Sequence, residues 1–139
     1  MPASNGGGAP KDVVLILARE LATNIATPML VFDHNGVLVF FNEPAERILG
    51  QSFGAAGEIA PQEWSKRWPT FDLDGNPESL VTGPLSRVIT ERVPVHGWLR
   101  VQGLDHVTRT IQTTAYPLFA RADRFVGAVS VFWQDEGPA

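Results

Sequence analysis

The sequence contains no cysteine. This absence excludes disulfides, thiolate metal sites, cysteine nucleophiles and a cysteinyl adduct to a flavin. It also fits a cytoplasmic protein, and we predict that location. Charged residues make up only 19% of the chain, with a net charge of −4. Because the basic residues are scattered, with Lys66-Arg67 as the one loose cluster, we predict no nucleic-acid partner.

Long apolar runs are also missing. The longest early run, Val13–Ala18, ends at Arg19-Glu20, is too short to span a bilayer and lacks the basic start of a signal peptide. We therefore predict no membrane association and no export signal. Apolar residues nevertheless make up 44% of the 139 residues. A chain of this length and composition is predicted to form one globular domain with one core.

Histidine is scarce, and the three present are dispersed: His34, His96 and His106. A zinc site needs its ligands clustered, so we predict none. The Asp72–Pro77 segment resembles a calcium loop, but its glycine comes too early and no bidentate glutamate closes it. We interpret it as a turn.

Catalytic groups are not apparent either. The string Gly50–Gly54 matches a nucleophile elbow, but that chemistry needs a strand before the serine and a helix after it. Here a helix is predicted to precede and a Gly/Ala loop to follow. No pair of carboxylates suggests a general acid and base. We predict no catalytic residues, no metal ligands and no enzymatic activity.

The N-terminal region divides into a tail and a helix. Residues 1–10 contain three consecutive glycines and Pro10, which predicts a disordered tail. Residues 11–27 are predicted to form an amphipathic helix ended by Pro28. Its apolar side chains, widened by Val13 and Ile16, recur at Val14, Leu17, Leu21 and Ile25. Such a helix can lie on its own sheet, pack against a second copy, or do both.

Strand and helix signals then alternate along residues 28–135. An Asn35-Gly36 turn predicts a hairpin, and Asn42 and Gly50 have the residue types that cap the two ends of a short helix. The predicted strands are Met29–Phe32, Val37–Phe41, Val95–Val101, Val107–Leu118 and Phe125–Trp133, and the later helices are Pro61–Trp68 and Pro84–Arg92. The last strand is apolar on both faces, which predicts cover on both sides, with the N-terminal helix on one of them. The fold class is therefore α+β, with a five-stranded antiparallel sheet, short helices on one face and an N-terminal amphipathic helix.

The order and spacing of these segments over about residues 25–135 resemble a PAS domain of the sensor-kinase type. The matching segments are Pro28–Asp33, Gly36–Asn42, Pro44–Gly50, Phe71–Gly75, Pro84–Glu91, Ala115–Pro117 and Val126–Val129. The resemblance implies a sensory and dimerising module of signalling proteins. Some members of that family hold haem, flavin or a small acid between the helices and the sheet.

The chain departs from the family pattern at two places. Gln134-Asp135-Glu136 begins the junction that often leads to an output domain, and the sequence then ends, so we expect the signal to be relayed in trans. The segment Pro84–Arg92 carries no histidine, and this disfavours haem. A flavin or a small organic ligand stays open, and the cofactor is unknown.

Aromatic and apolar side chains are candidates for a ligand pocket between helices and sheet. The candidate lining residues are Phe41, Trp64, Trp68, Phe71, Leu85, Ile89, Trp98 and Thr113. The same side chains could simply fill the core. Thr113 and Gln112 are alternative polar anchors, because the sequence alone does not show which of them faces inward.

The leading hypothesis is a signalling module that dimerises and binds a small ligand or a partner protein. The predicted dimer contacts are Val14, Leu17, Leu21, Ile25 and Trp133. One alternative is an interaction adapter with a filled core and no ligand. A second is a small α+β enzyme of the isomerase or dehydratase type, which would need an aspartate or histidine pointing into a pocket.

Overall fold

The computed structural model describes residues 12–78, 83–121 and 123–136. The predicted tail and Lys11 lie outside these residues. The helices are α1 (Val13–Thr23), α2 (Glu43–Leu49), α3 (Phe53–Ala56), α4 (Pro61–Arg67) and α5 (Pro84–Glu91). The strands are β1 (Met29–Asp33), β2 (Leu38–Phe41), β3 (Thr70–Phe71), β4 (Val95–Gln102), β5 (Thr108–Ala120) and β6 (Arg124–Gln134). In this described part of the chain, no helix has the length and apolar character needed to cross a membrane.

The strands form one antiparallel sheet in the order β2-β1-β6-β5-β4-β3. The predicted α+β fold is confirmed, but the sheet has six strands where we predicted five. The additional strand is β3, in which Thr70 pairs with Val101 and Phe71 with Arg100. Two residues are too few to show the alternation by which a strand is recognised in a sequence.

Local sequence rules account for the first hairpin. The carboxylate of Asp33 accepts hydrogen bonds from the backbone amides of Asn35 (2.8 Å) and Val37 (3.0 Å). Gly36 has a φ of 81°, a left-handed conformation that favours glycine. These two features turn the chain tightly between β1 and β2, as the Asn-Gly pair predicted.

Helix α1 is shorter than predicted. It begins after Asp12, whose side chain accepts a hydrogen bond from the Val14 amide at 2.9 Å, and it ends at Thr23. The side-chain amide of Asn42 donates to the carbonyl oxygen of Ala22 at 2.9 Å and to that of Thr27 at 2.8 Å. The helix therefore ends four residues before the predicted end at Thr27, because the backbone turns away from the helix axis to accept the hydrogen bonds of this side-chain amide. Pro28 does not determine where it ends.

The two faces of the sheet are covered by different elements. We call the face that packs against α2, α4 and α5 the inner face, and the face beneath α1 the outer face. Strand β6 is covered on both, as predicted: Phe132 packs inside, and Val129 packs against α1. A methyl group at Gly127 would overlap the Phe32 carbonyl oxygen and lie 2.9 Å from Leu15 Cδ2. This close approach lets α1 rest on the strand.

Asn42 connects three elements at the edge of this arrangement. It is 2% exposed, and its side-chain oxygen accepts hydrogen bonds from the amides of Met29 (3.0 Å) and Ala45 (3.2 Å). With the two bonds to the carbonyls of Ala22 and Thr27, all four of its side-chain contacts are to backbone. One residue thus caps α2, begins β1 and ends α1.

We predict that Asn42→Ala lowers the free energy of unfolding by about 3 kcal/mol, because it removes a helix cap and leaves buried backbone groups without partners. Urea denaturation of the full chain measures the change. The control is Ser52→Ala, since Ser52 caps α3 through an exposed hydrogen bond to Ala55 and should cost about 1 kcal/mol or less. Equal losses for the two variants would contradict the role assigned to Asn42.

Candidate functional site

A cavity of about 290 Å³ lies between the inner face of the sheet and the helices α4 and α5. Its wall is mainly apolar. The described residues that line it are Leu30, Phe32, Asn35, Gly36, Leu49, Pro61, Trp64, Ser65, Thr70, Glu78, Gly83, Pro84, Leu85, Ser86, Ile89, Thr90, Leu99, Val101, Ile111, Thr113, Ala115, Ser130 and Phe132. This position and wall chemistry are typical of a small-molecule site.

Four of the predicted lining residues are at the cavity wall. Trp64 comes from α4, Leu85 and Ile89 from α5, and Thr113 from β5. The Trp64 indole nitrogen donates to the Gly36 carbonyl at 2.9 Å, and its ring lies 5.5 Å from that of Phe32. This hydrogen bond attaches α4 to the first hairpin and fixes one end of the cavity.

The other predicted aromatic residues do not line the cavity. Phe41 is completely buried in the adjoining core, edge-to-face with Phe53 (5.3 Å) and Trp68 (5.8 Å). Trp68 is also buried, and its indole nitrogen donates to the Leu49 carbonyl at 2.9 Å. Phe71 is half-buried in β3 at the sheet edge. For Phe41 and Trp68 the core-filling interpretation is the correct one, whereas Phe71 neither lines the cavity nor belongs to the core.

Trp98 lies on the opposite side of the sheet from the cavity, and its assignment to the lining was wrong. Its register partner is Gln112, whereas the cavity residue Thr113 pairs with Gly97. Side chains alternate across a strand, so Thr113 and Gln112 must face opposite ways. Thr113 faces inward, and Gln112 shares the outer face with Trp98.

Sequence reasoning missed most of the wall that the sheet supplies. These residues occupy alternate positions on β1, β4, β5 and β6, among them Leu99, Ile111, Ala115 and Ser130, and β3 adds Thr70. The alternation was visible in the sequence once Thr113 was taken as inward. Which of the two alternating sets of side chains faces the helices depends on the strand register, however, and the sequence alone does not give that register.

Two buried hydroxyl groups form the polar part of the sheet wall. Thr113 Oγ1 and Ser130 Oγ lie 2.8 Å apart, and Thr113 Oγ1 also donates to the Val131 carbonyl at 3.3 Å. Thr113 is 5% exposed and Ser130 8%. Within the described residues, every buried side-chain nitrogen or oxygen has a hydrogen-bond partner. The buried polar side chains of these residues therefore need no ligand as a hydrogen-bond partner.

The carboxyl groups with lowered pKa values lie away from the cavity wall. The pKa of Asp12 is lowered by the Val14 amide and then by Arg124, and the pKa of Asp72 is lowered by the Asn76 amide. Arg109 beside Asp105 lowers the pKa of that carboxyl to about 2. Each group caps a helix or closes a turn, so these shifts reflect local structure and do not indicate an acid–base site.

None of the three histidines lines the cavity. His34 is exposed in the first hairpin, and His106 is exposed in the turn before β5. His96 lies on the outer face, where its ring contacts Thr114 Oγ1 (2.6 Å) and Gln112 Oε1 (3.1 Å). Helix α5 contributes no histidine, and the described part of the cavity wall offers no histidine to a haem iron. Among the described residues, no group of three or more histidine, aspartate or glutamate side chains is placed to hold a metal ion.

The predicted dimer contacts divide between the surface and the core. Leu17 and Leu21 on α1 are 62% and 57% exposed, and Trp133 at the end of β6 is 39% exposed. Val14 is half-buried, and Ile25 packs against the core beneath α1. The residues that α1 buries on its own sheet are Leu15, Ala18 and Ala22. The remaining exposed apolar side chains on this helix are Val13 and Ile16.

Residues 17–84 match a family model described as a PAS domain. A search of curated proteins found no match. The family match agrees with the resemblance drawn from the sequence and includes α2, α4 and the hairpin, but not the last three strands.

Solved structures extend the likeness over most of the chain. The PAS domain of a protein from Colwellia psychrerythraea has a TM-score of 0.63 at 16% identity, over 89% of this chain and 98% of that one. The PAS domain of nitrogen regulation protein NR(II) from Vibrio parahaemolyticus has a TM-score of 0.58 at 15% identity, over 86% and 98%. The Rhodobacter sphaeroides LOV protein has a TM-score of 0.68 at 13% identity, over 88% and 68%. At these identities the structures establish the shared fold.

The two tryptophans of the α4 region give a direct test of the cavity assignment. We predict that Trp64→Phe and Trp68→Phe each lower the free energy of unfolding by about 1–2 kcal/mol, because each removes an indole hydrogen bond to a backbone carbonyl. Only Trp64 lines the cavity, so only Trp64→Phe should alter the fluorescence of an environment-sensitive apolar dye bound there. An equal effect of both variants on the dye would contradict the assignment.

Proposed function

The chain carries a PAS domain, and on this premise we propose that it is a sensory and signalling module that dimerises and relays a signal in trans. The signal is the binding of a small ligand or a partner protein. The similar structures include a domain of a nitrogen regulation protein and a LOV protein, and these names support a regulatory role by analogy. A cytoplasmic location and the absence of enzymatic activity belong to this proposal.

The observation that carries the proposal is the cavity inside the fold. Its volume of about 290 Å³ is close to the lower end of the range found for small-molecule sites, roughly 300–1,000 Å³. A space of this size beside the well-packed core around Phe41 is consistent with a site that is kept for a ligand.

The exposed side of α1 supports dimerisation. Leu17 and Leu21 are apolar, more than half exposed and one turn apart, while the opposite side of the helix is buried on the sheet. Adjacent exposed apolar side chains of this kind often mark an interaction surface. A second copy would cover this side of α1, and a stable pair would bury roughly 1,600 Å² in total.

The adapter hypothesis remains the second candidate, and one observation favours it. The hydroxyls of Thr113 and Ser130 satisfy each other, and no buried polar side-chain atom of the described residues needs a ligand. In that case the cavity would contain only water, and the domain would act through its surface.

We predict that Ala115→Leu weakens the binding of a cavity ligand at least about tenfold, because the larger side chain would occupy part of the cavity, and that it lowers the free energy of unfolding by about 1–3 kcal/mol, because Ala115 is also packed against Val88. The matched control is Thr114→Leu, which adds a leucine on the outer face and should leave binding unchanged. Native mass spectrometry of the purified full chain measures retained small molecules. Identical, ligand-free spectra for the wild type and both variants would favour the adapter.

We further predict that the wild-type chain sediments as a dimer at micromolar concentration and that the double substitution Leu17→Glu/Leu21→Glu converts it to a monomer. Charges on this surface would oppose the burial of two apolar faces, while the exposed positions should leave the fold intact. Thr23→Glu, an exposed position nearer the flank of the same helix, is the control. A wild-type monomer would overturn the dimer proposal.

A further inference from the structure

The charge of the cavity wall restricts the class of ligand. Glu78 is the one charged residue among the described lining residues, and it is acidic. The segment 79–82, which separates Glu78 from Gly83, is Ser-Leu-Val-Thr and carries no charge by sequence. A carboxylate or phosphate would lose its hydration without gaining a cation as a partner, at considerable cost in free energy.

Flavin mononucleotide does not fit these residues. Its phosphate carries about −1.5 to −2 charges at neutral pH and is usually held by arginine, lysine or the N-terminus of a helix. Arginine and lysine are absent from the described part of the wall, and although the N-terminus of α5 reaches the wall, its first residue, Pro84, has no N–H to donate. The three-ring system with its ribityl chain is also large for about 290 Å³.

The volume indicates a ligand of about two fused rings. An apolar protein cavity of roughly 150 Å³ is known to bind benzene. The cavity here is about 290 Å³, close to twice that volume. Phe32, Trp64 and Phe132 contribute aromatic rings to its wall, and such rings pack favourably against another aromatic ring.

The hydroxyl pair indicates which polar group of the ligand would suit the part of the wall formed by β5 and β6. A carbonyl oxygen only accepts, so Thr113 uses its single hydroxyl hydrogen on the Val131 carbonyl. Either hydroxyl could donate across the 2.8 Å contact between them, but both contacts of Thr113 are hydrogen bonds at the same time only when Ser130 donates its hydrogen to Thr113. Both hydrogens are used within the protein, and Ser130 Oγ keeps lone pairs at the cavity wall. These lone pairs can only accept a hydrogen bond from the ligand.

We propose that the cavity binds a neutral aromatic molecule of about two fused rings that donates an N–H or O–H hydrogen bond to Ser130. This proposal rests on the proposed ligand-binding function and narrows it. It assigns Ser130 as the specificity-determining residue and Thr113 as the positioning residue that orients the Ser130 hydroxyl.

Titration calorimetry of the full chain with matched probes tests the proposal. Indole carries the N–H donor, benzofuran has the same shape with an oxygen in its place, and indole-3-carboxylate adds a negative charge. We expect indole to bind about fivefold more tightly than benzofuran, as one ordinary hydrogen bond would give. Indole-3-carboxylate and flavin mononucleotide should show no saturable binding.

Two variants separate the hydrogen bond from general effects on the cavity. Ser130→Ala should abolish the preference for indole and leave the affinity for benzofuran within about twofold. Thr113→Val removes the acceptor for the Ser130 hydrogen, which then becomes available to the ligand. This variant should shift the preference towards benzofuran, an outcome that a merely structural role of Thr113 would not produce.

Several results would overturn the proposal. These are equal or tighter binding of benzofuran by the wild type, an unchanged preference in Ser130→Ala, tighter binding of an anionic probe, or no binding of indole. If an anion binds in the cavity, the ligand class is wrong but the sensory function stands. If the mass spectra of the wild type and the Ala115→Leu variant also show no retained ligand, ligand binding itself fails.

Discussion

The alternation of side chains across the strands is the constraint on which the rest of the structure depends. Neighbouring residues of a strand face opposite sides of the sheet, so each strand here serves two cores at once. On β6, Phe132 packs with the helices of the inner face, and Val129 packs with α1 on the outer face. The domain is held together because the side chains on both faces of β6 are mainly apolar. A strand with one polar face could not have carried α1.

The cavity follows from small side chains on the inner face. Phe132, Ile111 and Leu99 pack with the core around Phe41 on one side and line the cavity on the other. Further along the same strands, Ala115 and Ser130 face α5 and leave the space open. Helix α5 still closes on the sheet through Val88, which is fully buried against Val95, Ala115 and Ala128. The same face is therefore a packed core at one end and a cavity at the other.

The sequence predicted the features that depend on local chemistry. The Asn-Gly hairpin, the Asn42 cap, the Gly50 end of α2 and the double-sided β6 each follow from a few adjacent residues, and the structure contains all four. The family resemblance drawn from their order is confirmed by the match over residues 17–84.

The features that the sequence did not predict depend on contacts between distant segments. The end of α1 is determined by hydrogen bonds from Asn42, which is 20 residues away from Ala22. Strand β3 exists because Thr70 and Phe71 meet β4, and their own sequence gives no strand signal. The assignment of Trp98 to the cavity wall was wrong for a similar reason. Its large aromatic side chain suggests a pocket residue, and only its register with Gln112 shows that it faces outward.

Strand geometry also limits how the proposed signal can leave the cavity. Ser130 lies at the cavity wall, and its two chain neighbours, Val129 and Val131, pack on the outer face beneath α1. A shift of the backbone at Ser130 must therefore move side chains on both faces, because adjacent residues share peptide planes. The exposed apolar side of α1 is one helix diameter further out. In the proposed function, the cavity and the dimer surface are thus joined through α1 and the strands beneath it, because β1 lines the cavity with Leu30 and Phe32 and also packs against α1 with Met29 and Val31.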